Sequence, residues 1–139
     1  MLEQSLCSKV VKANTASLGK AVTMRELLYK AAEHYKQGKN LADQGDVRAA
    51  LQAYREALRD LHAVQPQRMR DVLLAHVYLA RYQLAVRRNN SQADSDLRMG
   101  YSYARTTKEP VVRELAEKLW KEAVHYKRQQ PRLSPRRRR

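Results

Sequence analysis

The chain has 139 residues, 28 lysines and arginines against 14 acids, and a formal net charge of +14. That length supports one domain with short flanking segments, and a hydrophobic content of 43% argues against a wholly disordered chain. A single cysteine, Cys7, excludes an internal disulfide and a cysteine-based zinc cage and fits a reducing compartment, while no apolar run approaches the roughly 20 residues of a membrane span.

Residues 1–22 read as a flexible N-terminal arm without the apolar segment of a secretory leader. Lys9, Lys12 and Lys20 among serines and threonines resemble a transit peptide, against which stand Glu3 and the lack of arginine. The expected location is therefore intracellular, cytoplasmic and/or nuclear, with mitochondrial import as an alternative.

The helical domain is expected over residues 23–129, and its elements follow in chain order. Thr23 and Glu26 have capping-box spacing, with Val22 and Leu27 placed for a hydrophobic staple. Leu27, Leu28, Ala31, Ala32, Tyr35, Gly38 and Ala42 then recur at helical steps and form one apolar stripe. Gly45 suits a left-handed C′ position and Asp46 an N-cap, so "DQGD" separates two helices.

The second helix carries Val47, Ala50, Leu51, Tyr54, Ala57, Leu58 and Leu61 on one face, and Pro66 is read as ending that unit. A third helix, about 67–88, is apolar on most sides between Val72 and Val86, as expected of a helix touched from two directions. Ser91 and Asp94 have capping-box spacing for a fourth helix, which presents Ala93, Leu97, Gly100, Tyr101 and Ala104. Pro110 suits the first position of a fifth, with Val112, Leu115, Ala116, Leu119 and Ala123 facing inward. Residues 130–139, "QPRLSPRRRR" from Gln130 onward, show no periodicity and read as a disordered basic tail. Lys127, Arg128, Arg132, Arg136, Arg137, Arg138 and Arg139 hold seven of the positive charges, leaving +7 on residues 1–126.

Two helix–turn–helix units of this size invite a search for self-similarity. Residues 31–66 resemble a tetratricopeptide repeat: Gly38 falls on the small position of its first helix, and Ala50, Tyr54 and Ala57 on the signature of its second. Gly45, Asp46 and Pro66 match its turn and terminal proline. His34, Gln37 and Leu41 depart from the pattern, standing where that family has Trp, Leu and Tyr. A weaker copy runs from Leu73 to Pro110, with Ala80, Ala93, Leu97 and Gly100 in the corresponding places. The resemblance implies an all-α fold of about five helices, in which antiparallel hairpins stack as a short right-handed solenoid and the last helix caps it. A generic helical bundle, or a three-helix bundle of the microtubule-interacting-and-trafficking type, remains an alternative.

No catalytic constellation assembles. His34, His62, His76 and His125 are scattered, no metal-ligand spacing occurs, and neither a glycine-rich phosphate loop nor a nucleophile elbow is present. Glu114, Glu117 and Lys118 read as surface pairing on a cationic helix. The chain is expected to be non-enzymatic and without cofactor or metal.

The resemblance instead implies a peptide-binding adaptor or scaffold whose groove is lined by Tyr35, Lys39 and Ala42 from one helix and Val77, Arg81 and Leu84 from another. Two cations and a tyrosine in an apolar groove suit an acidic-hydrophobic peptide or helix of another protein. The family's carboxylate clamp is not expected, because Tyr35 and Lys39 occupy its positions and Asn40 is displaced by one residue.

The tail offers electrostatic docking, a localisation signal, or non-specific contact with nucleic acid. Ser134 precedes Pro135 and two arginines, a context for proline-directed phosphorylation. The alternative reading is an accessory RNA- or DNA-associated subunit of a larger assembly, contacting phosphates through Arg81, Arg87, Arg88, Lys118 and Lys121. A third is a small subunit of an assembly, with Tyr103 and Trp120 as exposed aromatics.

Overall fold

A computed structural model of the chain describes residues 22–88 and 90–129. The N-terminal arm with Cys7, and the tail with Arg132, Ser134 and Arg136 to Arg139, lie outside the described residues. Within them the fold is all-α, with five helices and no strand: α1 (Met24–Asp43), α2 (Val47–His62), α3 (Arg68–Arg87), α4 (Gln92–Thr107) and α5 (Pro110–Gln129). No helix among the described residues is long and apolar enough to cross a membrane. The chain divides into two compact units inside α3, after Leu73.

In the first unit, α1 begins at a reciprocal capping box. The Thr23 hydroxyl accepts from the Glu26 amide at 3.0 Å and the Glu26 carboxylate accepts from the Thr23 amide at 3.1 Å. Gly45 adopts φ +87°, the left-handed conformation that a side chain would strain, and the Asp46 carboxylate accepts from the Ala49 amide at 3.1 Å. This short turn lays α2 back against α1. The two cross closely at Gly38, where a Cβ would lie 2.5 Å from Cε1 and 2.7 Å from Cδ1 of Tyr54. Tyr54 is 1% exposed, with Ala50, Ala57 and Leu61 buried beside it on the same helix.

The sequence expectations need two corrections of detail. α2 ends at His62, with Ala63 as its C-cap, four residues before Pro66. The amides of Ala63 and Val64 bond to the carbonyls of Asp60 and Leu61, and Val64 turns inward at 4% exposure, so a tightened last turn rather than the proline stops the helix. α4 starts where expected, with Ser91 at the N-cap position, but without the capping box. Ser91 makes no side-chain cap, and the Asn90 side chain accepts from the Gln92 amide at 2.8 Å instead.

In the second unit, α3 is buried at Leu74, Ala75, Val77, Tyr78, Leu79, Ala80, Tyr82, Leu84 and Ala85, a wide face that leaves Gln83 and Val86 exposed, as its largely apolar composition suggests. Its core joins Leu79, Tyr82, Leu97, Ala104, Val112, Ala116 and Leu119. Gly100 gives the close approach here, since a Cβ would meet Leu79 Cδ2 at 2.6 Å and its backbone nitrogen at 3.2 Å. Pro110 opens α5, and Glu109 caps it by accepting from the Val112 amide at 2.9 Å.

Candidate functional site

The six residues expected to line a groove divide by environment. On α1, Tyr35 and Ala42 are half-buried and Lys39 is exposed, at the i, i+4, i+7 spacing that places them on one face. The Tyr35 ring lies 6.2 Å from that of Tyr54, tilted by 34°. Lys39 makes no ion pair among the described residues. Much of the apolar stripe of α1 is only half covered: Leu27, Leu28, Ala32, Leu41 and Ala42 all keep part of their surface in water, and only Ala31 and Gly38 are fully buried.

On α3 the outcome is different. Val77 is 0% and Leu84 6% exposed, so neither offers a side chain to a partner. Arg81 is held by Asp96 of α4, donating from Nε to Oδ2 at 3.0 Å and from Nη2 to Oδ1 at 2.8 Å. The Asp96 side chain is 1% exposed, and this bidentate pair satisfies both of its oxygens. Arg81 also lies over the Tyr78 ring at 5.7 Å, and Tyr78 stacks on Tyr103 with centroids 6.1 Å apart. These three residues are therefore structural ties of the second unit, and only Tyr35, Lys39 and Ala42 remain as a surface.

Of the cations in the nucleic-acid alternative, Arg87, Arg88, Lys118 and Lys121 are exposed and Arg81 is committed to Asp96. Trp120 and Tyr103 are half-buried rather than exposed. Trp120 stacks on Tyr101 at 4.5 Å, with Arg105 over the Tyr101 ring at 5.8 Å and the Tyr101 hydroxyl donating to Glu117 at 3.2 Å.

The sequence reading missed both buried aspartates. Asp60 accepts from or is paired with His34 Nδ1 at 3.1 Å, joining α2 to α1. The available signal was an aspartate on an apolar stripe, since Asp60 follows Ala57 by three and Asp96 follows Ala93 by three.

Burial raises the Tyr54 phenol to about 12, with smaller contributions from Tyr35 and Asp43, and raises Tyr35 for the same first reason. Burial and Arg70 lower His62. For Tyr54 the folded value exceeds the unfolded 10.0, so its contribution to stability is complete below about pH 10 and is lost as pH rises through about 12. Urea midpoints measured across that window should fall steeply, and Tyr54→Phe should flatten the fall. An equal slope in the two proteins would remove Tyr54 as the cause.

Among the described residues no group of three or more His, Cys, Asp or Glu side chains could hold a metal ion. No family model, curated protein or solved structure matches the chain.

Proposed function

We propose that the protein is a non-enzymatic adaptor, built on a tetratricopeptide-like hairpin, that binds an acidic-hydrophobic peptide or helix of another protein on the exposed side of α1. The observation that carries this reading is the half-covered apolar stripe of α1 with Lys39 standing unpaired beside it. An apolar strip edged by a cation suits an amphipathic segment whose acids face the lysine. The close approach of Gly38 to Tyr54 supports the repeat-like reading, because it joins the small and aromatic positions of that pattern in one crossing. The solenoid stacking of the hairpins and an intracellular location belong to the same proposal. Basic residues 132–139 add localisation or electrostatic docking.

The test is an affinity capture from the native cell at two salt concentrations, using the full chain, a Lys39→Glu variant, and a variant with arginines 132 and 136–139 changed to glutamine. The proposal expects one protein partner to survive loss of the tail charge and to be lost with Lys39→Glu. Capture of RNA or DNA alone, abolished by the tail substitutions or by higher salt, would overturn it in favour of the accessory nucleic-acid subunit.

A further inference from the structure

A cleft of about 610 Å³ opens in the second unit between the C-terminal half of α3, the start of α4 and the last turns of α5. That volume is in the range of small-molecule sites. Tyr82 forms its floor, at 6% exposure, and its hydroxyl makes no hydrogen bond among the described residues. The hydroxyl is not itself sealed from solvent, so it stands open to water or to a ligand in the cleft.

Two carboxylates flank it, Asp94 from α4 and Glu122 from α5. Burial raises the Tyr82 phenol first, and then Asp94 and Glu122 each raise it further, so the negative potential of both acids reaches the hydroxyl. The phenol therefore stays protonated, and its oxygen is an acceptor in a cleft that two carboxylates share. Val86, Ala123 and the ring of Tyr126 supply an apolar wall, with Val86 and Tyr126 exposed at 42% and 60%.

Arg87 and Lys127 also line the cleft and balance its charge. Lys127 is committed, loosely, to Asp94 at 3.5 Å across an exposed pair. Glu122 has no ion-pair partner among the described residues, so one acid remains available beside an unpartnered hydroxyl.

We propose that this cleft binds an alkyl guanidinium or ammonium group, its charged head between Glu122 and the Tyr82 hydroxyl and its methylene stem along Val86, Ala123 and Tyr126. The stem contact uses the apolar wall, and the face of Tyr126 adds attraction for the cation. Such a group can come from two sources. One is an arginine of residues 130–139, which follow Gln129 directly and carry five arginines. Ten residues reach up to roughly 33 Å when extended, whereas Glu122 lies only about 10 Å back along the helix from Gln129. Tethering gives that source a local concentration in the millimolar range. The other source is a separate ligand, which must approach against the field of a chain of formal charge +14.

The test uses calorimetric titration of butylguanidinium at low ionic strength into the full chain and into the full-length variant with arginines 132 and 136–139 changed to glutamine. Tyr82→Phe and Glu122→Gln are then placed on that variant. Each should weaken binding about tenfold, the loss expected for one hydrogen bond to a charged group, with the thermal midpoint confirming that Tyr82→Phe still folds. Tighter binding to the tail-neutralised chain than to the native one assigns the cleft to the chain's own arginines. Equal affinity for the two, still lost with Tyr82→Phe and Glu122→Gln, assigns it to a separate cation. No saturable binding in either chain, or binding indifferent to both substitutions, overturns the proposal.

Discussion

Replacing Asp96 by alanine should destabilise the protein by about 3 kcal/mol, at the lower end for breaking a buried ion pair because Arg81 keeps 21% of its side chain in water. The cost arises because the substitution leaves a guanidinium without the two acceptors it now holds at 2.8 and 3.0 Å. Asp96→Asn should cost less, since one acceptor survives. The double replacement Arg81→Met with Asp96→Leu should recover much of the loss, because no unpaired charge then remains. Urea denaturation with an unchanged slope measures all three. A change below about 0.5 kcal/mol in Asp96→Ala, the range of ordinary surface substitutions, would show that the pair is not a structural tie.

The second large effect is expected at Gly38. Alanine is intrinsically better than glycine inside a helix by about 1 kcal/mol, so an exposed Gly→Ala would stabilise. Here the new methyl would stand 2.5 Å from a ring carbon of Tyr54, which cannot rotate away within a side chain that is 1% exposed. Overpacking of this kind costs about 1–3 kcal/mol, and the net result should be destabilisation. Combining Gly38→Ala with Tyr54→Leu should cost less than the sum of the two, because the ring that clashes is gone. Strict additivity would contradict the crossing geometry. Gly100→Ala should also destabilise, since Leu79 is 0% exposed and a methyl there would meet its Cγ at 2.8 Å and its backbone nitrogen at 3.2 Å.

The helices were legible because their causes are local. Periodic apolar residues, the Thr23–Glu26 box, the Gly45–Asp46 turn and Pro110 each act within a few residues, and each falls where the sequence places it. The start of the fourth helix at Ser91 was legible but its capping bond was not, because the neighbouring Asn90 side chain takes the Gln92 amide instead. Pro66 misled because a proline sets a limit on where a helix can continue, and α2 had already closed its last turn at His62.

The candidate site was less legible. Val77 and Leu84 follow the same spacing on α3 as Tyr35 and Ala42 on α1, and that spacing does not distinguish a buried side from an open one. The partners of Arg81 and His34 lie 15 and 26 residues away, so neither pair has a local signature. The cleft under Tyr82 gathers residues of three helices, which no window of sequence brings together.

The adaptor reading is tested most directly by mapping amide chemical shifts of the full chain as an acidic amphipathic helical peptide is added at moderate salt. The account predicts saturable shifts centred on Tyr35, Lys39 and Ala42 of α1, persisting when the arginines of residues 130–139 are replaced by glutamine. Shifts confined to residues beyond Gln129, and abolished by salt, would contradict it.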